Sequence, residues 1–208
     1  KFEPAQDLSS HLGKVVRINP DGSVPQDNPF IGQKGAQPEI WSLGHRNVES
    51  ASIDPETGKL WTLEFGPKGG DELNRPAPGK NYGWPLVSWG SHYDGKKIPD
   101  PPTRPEFADA VRQWTPVISP SGATFYTAEP VPGWTAEAIP AWAGDLLVGG
   151  LSSQSIVRLS LDGEKVSGEE RIPLGVRVRD VIQGPDGAVY ALTDEDNGKI
   201  LRLTAENQ

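Results

Sequence analysis

Cysteine and methionine are both absent from the 208 residues. Without cysteine there is neither a disulfide framework nor a thiolate metal site, and the redox compartment stays open. No apolar run approaches the roughly 18 residues of a membrane-spanning helix. Lys and Arg number 20 against 28 Asp and Glu, and the formal net charge of −8 argues against nucleic acid or an anionic membrane surface as partner, because both demand clustered cations. Long stretches of helix-forming residues are missing too, whereas glycine and proline are plentiful at 24 and 21. That balance predicts an all-β chain of short strands and many turns. The length suffices to bury a sizeable core in one domain over residues 1–208. The chain opens on Lys1-Phe2-Glu3-Pro4, with no initiator methionine and no secretory signal at the start, as expected of a mature or truncated product.

Three stretches read as the same kind of strand: Gly13 to Ile18 before the turn Asn19-Pro20-Asp21-Gly22, Ser155 to Leu159 before Asp162-Gly163, and Lys199 to Leu203. A second element recurs as Pro55 to Trp61, Pro120 to Tyr126 and Pro185 to Tyr190. In each, a proline and a glycine are expected to make a turn and an aromatic on the next strand to pack inward. The prolines fall at 55, 120 and 185, a constant period of 65. Short strands at a fixed period are the mark of propeller blades, here about three of them, each with long loops. Three blades do not close a ring, so the chain is expected to be the C-terminal half of a larger protein, or to be completed by an N-terminal fragment or a second copy. Residues 95–113, with four prolines, read as a long extended loop. Trp134 and Trp142 are expected to be loop aromatics, and Glu137 to Ala143 a single helical turn.

The densest chemistry lies between Gly44 and Pro85. Gly44-His45-Arg46-Asn47 follows a predicted strand from Pro38 to Leu43. Next come Glu64-Phe65-Gly66-Pro67-Lys68-Gly69-Gly70-Asp71-Glu72-Leu73-Asn74 and Asn81-Tyr82-Gly83-Trp84-Pro85. Each run sets polar groups beside glycines or prolines that let backbone carbonyls turn outward, as a loop holding both a cation and an anionic ligand requires. Arg177 and Arg179 alternate with Val178, so both fall on one face of a strand. Two cations there repel unless an anion lies between them. Taken alone, each motif also has a plainer reading: a surface arginine with a turn-forming asparagine, an ordinary Gly-Pro turn, a solvated acidic loop, a solvated strand edge.

Those motifs, with Gly66-Pro67, Gly69 to Asn74 and Arg177-Val178-Arg179-Asp180-Val181 in the same order, resemble the soluble PQQ-dependent aldose sugar dehydrogenases of the glucose/sorbosone dehydrogenase family, which are six-bladed propellers. The resemblance runs from about Gln6 to the C-terminus. It implies that Arg46, Asn47, Arg177 and Arg179 contact the quinone, whose three carboxylates suit guanidinium donors. It implies that the Gly66 and Pro67 carbonyls bind the calcium that also touches that cofactor, hard cations favouring such oxygens. Asp71 and Glu72 fit a second calcium site, which the resemblance gives to Glu72 with the carbonyl of Tyr82 ten residues on. A general base must take the sugar hydroxyl proton. In the family it lies upstream of the matched region, and none of His11, His45 or His92 matches it, so no catalytic residue is assigned. Three departures stand out: Ser152 where several relatives carry a cofactor-binding lysine, Val48-Glu49-Ser50 after the asparagine, and Phe65 beside the calcium loop.

The resemblance therefore implies a periplasmic or secreted enzyme oxidising the C1 hydroxyl of an aldose to the lactone with calcium-bound PQQ, this chain alone being catalytically incomplete and the electron acceptor unspecified. The alternative is a non-enzymatic propeller of the same lineage binding carbohydrate or protein. A calcium-dependent sugar lactonase would need acidic metal ligands on several blades, and only one acidic cluster is present.

Overall fold

A computed structural model describes residues 3–133 and 137–205, so Trp134 lies outside the described residues. The described chain is all-β apart from three single-turn 3-10 segments at Pro4–Gln6, Pro101–Thr103 and Pro140–Trp142. Its strands are β1 (Lys14–Val16), β2 (Ile40–Leu43), β3 (Val48–Ile53), β4 (Leu60–Glu64), β5 (Asp71–Asn74) and β6 (Arg112–Trp114), then β7 (Pro120–Phe125), β8 (Leu146–Gly150), β9 (Ser155–Asp162) and β10 (Lys165–Pro173), and finally β11 (Val178–Gln183), β12 (Val189–Thr193) and β13 (Ile200–Leu203). They form four sheets in which spatial order follows chain order: β1-β2, β3-β4-β5-β6, β7-β8-β9-β10 and β11-β12-β13. Such meanders need only tight turns between neighbours, which the glycine and proline content provides. The chain divides into two compact units, Lys1–Val48 with Glu64–Val117, and Glu49–Leu63 with Ile118–Gln208.

In the first unit β1 pairs with β2, Lys14 opposite Leu43, and β5 pairs with β6, Asp71 opposite Trp114. Ile40, Leu43, Leu73, Val87 and Trp114 are buried. The Asn81 to Pro85 run is drawn onto the end of β2, where the Leu43 amide donates to the Lys80 carbonyl at 3.0 Å and the Tyr82 amide to the Leu43 carbonyl at 2.8 Å. Gly44 makes that approach feasible. A Cβ there would stand 2.2 Å from the Asn81 Oδ1, and its φ of +79° suits glycine.

In the second unit Tyr126, Leu147, Ile156, Val178, Val181, Val189 and Ala191 form one buried cluster. Strand β8 is buried at every position, as a central strand covered on both faces must be. Tyr126 keeps its hydroxyl satisfied inside this core by donating to the Gly187 carbonyl at 2.6 Å and accepting from the Ile139 amide at 2.7 Å.

Most expected strands are found, shortened or lengthened by a few residues. The 65-residue repeat is only partly a repeat of turns. Pro55 and Pro185 do sit in turns, but Pro120, Ser121 and Gly122 belong to strand β7. Gly122 is there for proximity: a Cβ would fall 1.6 Å from Asp180 Oδ1, and the bend is taken before it by Ser119 at φ +52°. Trp61 and Tyr126 are buried as expected, whereas Tyr190 is half-buried and turned toward Asp186. The proline-rich stretch 95–113 is a loop as expected, but it holds a 3-10 turn at Pro101–Thr103 and further turns at 105–107, and from Arg112 it enters β6. The turn expected within 137–143 is the one at Pro140–Trp142.

Asp186 fastens the hairpin of β12 and β13. Its Oδ2 accepts from Arg202 Nη2 at 2.7 Å and from the Tyr190 hydroxyl at 2.9 Å, and its Oδ1 accepts from the Ala188 amide at 3.1 Å. The Arg202 guanidinium, then the Tyr190 hydroxyl, hold its carboxyl below the usual aspartate range. A carboxyl depressed by folding stabilises above its unfolded pKa of about 3.9, and that stability is lost as pH falls through the lower folded value. Thermal melts are therefore expected to drop between pH 5 and pH 2 by less in Asp186→Asn than in the wild type, while the variant melts lower at pH 7.

Candidate functional site

Glu64 closes strand β4 and is only 4% exposed. A buried carboxylate needs donors, and it has three. His45 Nδ1 lies 3.1 Å from its Oε1, the Arg46 amide donates to its Oε2 at 2.7 Å, and Asn74 Nδ2 donates to its Oε1 at 2.6 Å. Because the carboxylate can only accept, His45 Nδ1 donates to it, and the other ring nitrogen, Nε2, lies 2.8 Å from the Ser42 hydroxyl. The imidazole also stacks on Tyr82, with ring centroids 4.7 Å apart. His45 thus acts as a buried brace between Ser42, Glu64 and Tyr82. His11 is an exposed partner of Glu39 at 3.4 Å.

The bracing fixes Arg46. Its Nη1 donates to the Phe65 carbonyl at 3.1 Å, its Nη2 to the Tyr93 hydroxyl at 3.4 Å, and its guanidinium sits 5.3 Å over the Trp84 ring. Its Nε is buried with no hydrogen-bond partner, an unsatisfied donor that an acidic ligand would satisfy. Beside it lies a cavity of about 10 Å³, lined by Arg46, Glu64, Gly66, Glu72, Tyr82 and Trp84 among others. That is the room of about one water molecule or one ion.

Two carboxylates face this small space. Asn74 Nδ2 bridges them, at 2.6 Å from Glu64 and 3.0 Å from Glu72. Burial, and next the charge of Glu64, push the Glu72 carboxyl up to about 8, against the lowering effect of the Asn74 bond. A buried and a half-buried carboxyl with glycine loops around them offer the oxygen donors that a hard cation takes. Gly66 stands at the turn of that loop. Its amide donates to Asp71 Oδ1 at 3.0 Å, and a Cβ there would lie 2.1 Å from the Gly69 carbonyl oxygen. Asp71 is thereby a brace of the loop.

Arg46, Gly66, Glu72 and Tyr82, all expected at the site, thus line one cavity. Pro67 is buried next to them against Gly90, whose Cβ would be 3.0 Å from the proline Cδ. Asn47 is exposed and anchors the loop through its carbonyl, which accepts from the Phe65 amide at 2.9 Å.

In the second unit the same-face expectation for Arg177 and Arg179 holds, but the anion between them belongs to the protein. Arg177 reaches Asp194 Oδ2 at 2.7 Å and Arg179 reaches Asp194 Oδ1 at 3.0 Å. The two arginines hold the Asp194 carboxyl below its usual range, Arg177 first. The strand edge therefore needs no foreign anion to stand, although two guanidiniums against one carboxylate leave one positive charge over. Ser152 is exposed, its amide donating to the Ile118 carbonyl at 3.2 Å.

Sequence reasoning quoted Glu64 and Asn74 within a motif and gave them no role, and it missed Asp194. Glu64 did carry a signal, a carboxylate directly after the apolar strand Leu60-Trp61-Thr62-Leu63. Asp194 carried none, since its partners lie 15 and 17 positions away.

Meandering antiparallel sheets bearing their polar loops between strands are blades, and the chain covers about half of six-bladed propeller dehydrogenase structures. The chain belongs to the glucose/sorbosone dehydrogenase family, whose model matches residues 1–202. It is 41% identical over 209 residues to aldose sugar dehydrogenase YliI of Escherichia coli, covering 98% of this chain and 54% of that protein. Among solved structures, the soluble aldose sugar dehydrogenase of Escherichia coli in its apo-form matches at a TM-score of 0.84 and 40% identity, over 97% of this chain and 57% of that one. The PQQ-bound form of the aldose sugar dehydrogenase of Streptomyces coelicolor matches at 0.69 and 30% identity, over 97% and 54%. The chain spans about half the length of the curated relatives it matches.

Removing the Glu64 carboxylate strands three donors at once, which outweighs the relief of its repulsion of Glu72. At about 1 kcal/mol or more per unsatisfied buried group, Glu64→Ala is expected to cost roughly 3 kcal/mol in denaturant unfolding, and Glu64→Gln distinctly less.

Proposed function

We propose that the chain is the C-terminal half of a periplasmic or secreted, calcium- and PQQ-dependent aldose dehydrogenase that oxidises the C1 hydroxyl of an aldose to the lactone. The reading rests above all on one observation: Arg46, Gly66, Glu72 and Tyr82, far apart in sequence, line one ion-sized cavity. Family membership and the PQQ-bound Streptomyces coelicolor relative support it.

In this reading the Gly66 and Pro67 carbonyls would hold the cofactor's calcium and Glu72 with the Tyr82 carbonyl a second one, and the cavity as it stands has room for one of the two. We assign Arg46, Asn47, Arg177 and Arg179 to quinone binding. The quinone held there would supply a hydride acceptor for the sugar C1, and the calcium beside it would supply Lewis acidity. Glu64 fixes the Arg46 backbone so that the guanidinium needs little reordering on binding. Trp84 covers one face of that guanidinium and limits its contact with water. Asp194 keeps Arg177 and Arg179 side by side and must share them with any ligand carboxylate. The base that takes the sugar hydroxyl proton would come from outside this chain.

Two observations favour the second reading, a non-enzymatic propeller that binds carbohydrate or protein. Asp194 already offsets half the charge of the arginine pair, and Ser152 supplies no cation. Titrating PQQ into the calcium-loaded full-length protein separates the two. The enzymatic reading expects a shift in quinone absorbance and dye-linked oxidation of aldoses. Arg177→Ala is expected to weaken PQQ binding about 10- to 100-fold, the worth of one charge-assisted hydrogen bond. A protein that gives neither the shift nor the oxidation, or whose PQQ affinity ignores Arg177→Ala, is not this enzyme.

A further inference from the structure

Tyr93 is the most exposed aromatic among the described residues, at 75%, and its placement is not casual. It sits in a small hairpin fastened to the loop that carries Gly66 and Pro67: Ser91 and Lys68 exchange amide-to-carbonyl bonds of 3.1 Å in both directions. The hairpin is closed by the His92 amide on the Lys96 carbonyl at 2.8 Å, the Gly95 amide on the His92 carbonyl at 2.9 Å, and the Lys96 amide on Asp94 Oδ1 at 3.0 Å. The tip is therefore held by five hydrogen bonds rather than left as a loose loop. Its hydroxyl accepts from Arg46 Nη2 at 3.4 Å, which sets one edge of the ring at the guanidinium while most of its surface stays open to solvent.

We propose that Tyr93 is the stacking platform for the aldose ring at this site, an inference that rests on the function proposed above. A pyranose is polar around its rim and presents C–H groups on its faces. An aromatic ring offers an electron-rich face to those C–H groups and excludes water from them at little entropic cost, having only two side-chain torsions to fix. Arg46 on one edge donates hydrogen bonds, so ring and guanidinium together match the two kinds of surface a sugar has. The role belongs to the ring, and the hydroxyl only sets its orientation.

The experiment measures glucose affinity directly, by calorimetric titration of the full-length protein with and without PQQ, alongside steady-state oxidation. Tyr93→Ala is expected to raise the glucose Kd and KM about tenfold, the equivalent of about 1.4 kcal/mol, with PQQ affinity unchanged. Tyr93→Phe is expected to keep the glucose Kd within about twofold, as loss of a solvent-exposed hydroxyl would. Unchanged glucose affinity in Tyr93→Ala overturns the proposal, as does an equal loss in Tyr93→Phe, which would put the effect in the bond to Arg46. A full-length protein that binds no quinone yet binds glucose in a Tyr93-dependent way would sink the enzymatic reading and uphold the platform. One that binds no glucose in either state overturns both.

Discussion

A carboxylate sealed from water has to be surrounded by donors, and Glu64 meets that demand by gathering two segments of chain. Through His45 and the Arg46 amide it holds the end of the Gly44 to Asn47 loop, and through Asn74 it holds strand β5. Each of those segments arrives with its own cargo: Arg46 with one, Glu72 with the other. The Tyr82 ring, stacked on His45, brings the Asn81 to Pro85 run to the same place. The small cavity lies where these pieces meet. Its shape follows from hydrogen-bond accounting more than from apolar packing.

Charge is handled in opposite ways in the two units. In the first, burial and then the charge of Glu64 disfavour the ionisation of Glu72, with a single amide nitrogen between the two carboxyls. In the second, Arg177 and Arg179 are relieved by Asp194. A carboxyl such as Glu72, whose ionisation is disfavoured, holds free energy that a cation can draw on, since a bound cation favours the charged form. A relieved arginine pair offers less, and its ligand must compete with a carboxylate already in place.

Much of this was legible in the sequence. The scarcity of helix formers, the glycine and proline content and the alternating strands were enough for an all-β chain, and the order of the motifs was enough for the family. Individual turns were less secure. Pro120-Ser121-Gly122 looks like its counterparts at 55 and 185, yet it lies in strand β7 because Gly122 answers to the side chain of Asp180 rather than to a bend. A glycine required by close approach and a glycine required by positive φ are written with the same letter.

What the sequence determined by itself is the set of residues able to do the chemistry, since an arginine, a carboxylate or a glycine brings its donors, charge and backbone freedom wherever it is placed. Tertiary structure alone decided which of them meet. Arg46, Gly66, Glu72 and Tyr82 come to line one cavity because Glu64 and Asn74 are buried and must find partners, and Arg177 and Arg179 keep an internal counter-ion because strand pairing sets Asp194 beside them. Burial and pairing are properties of the folded chain as a whole, and no local pattern of residues states them.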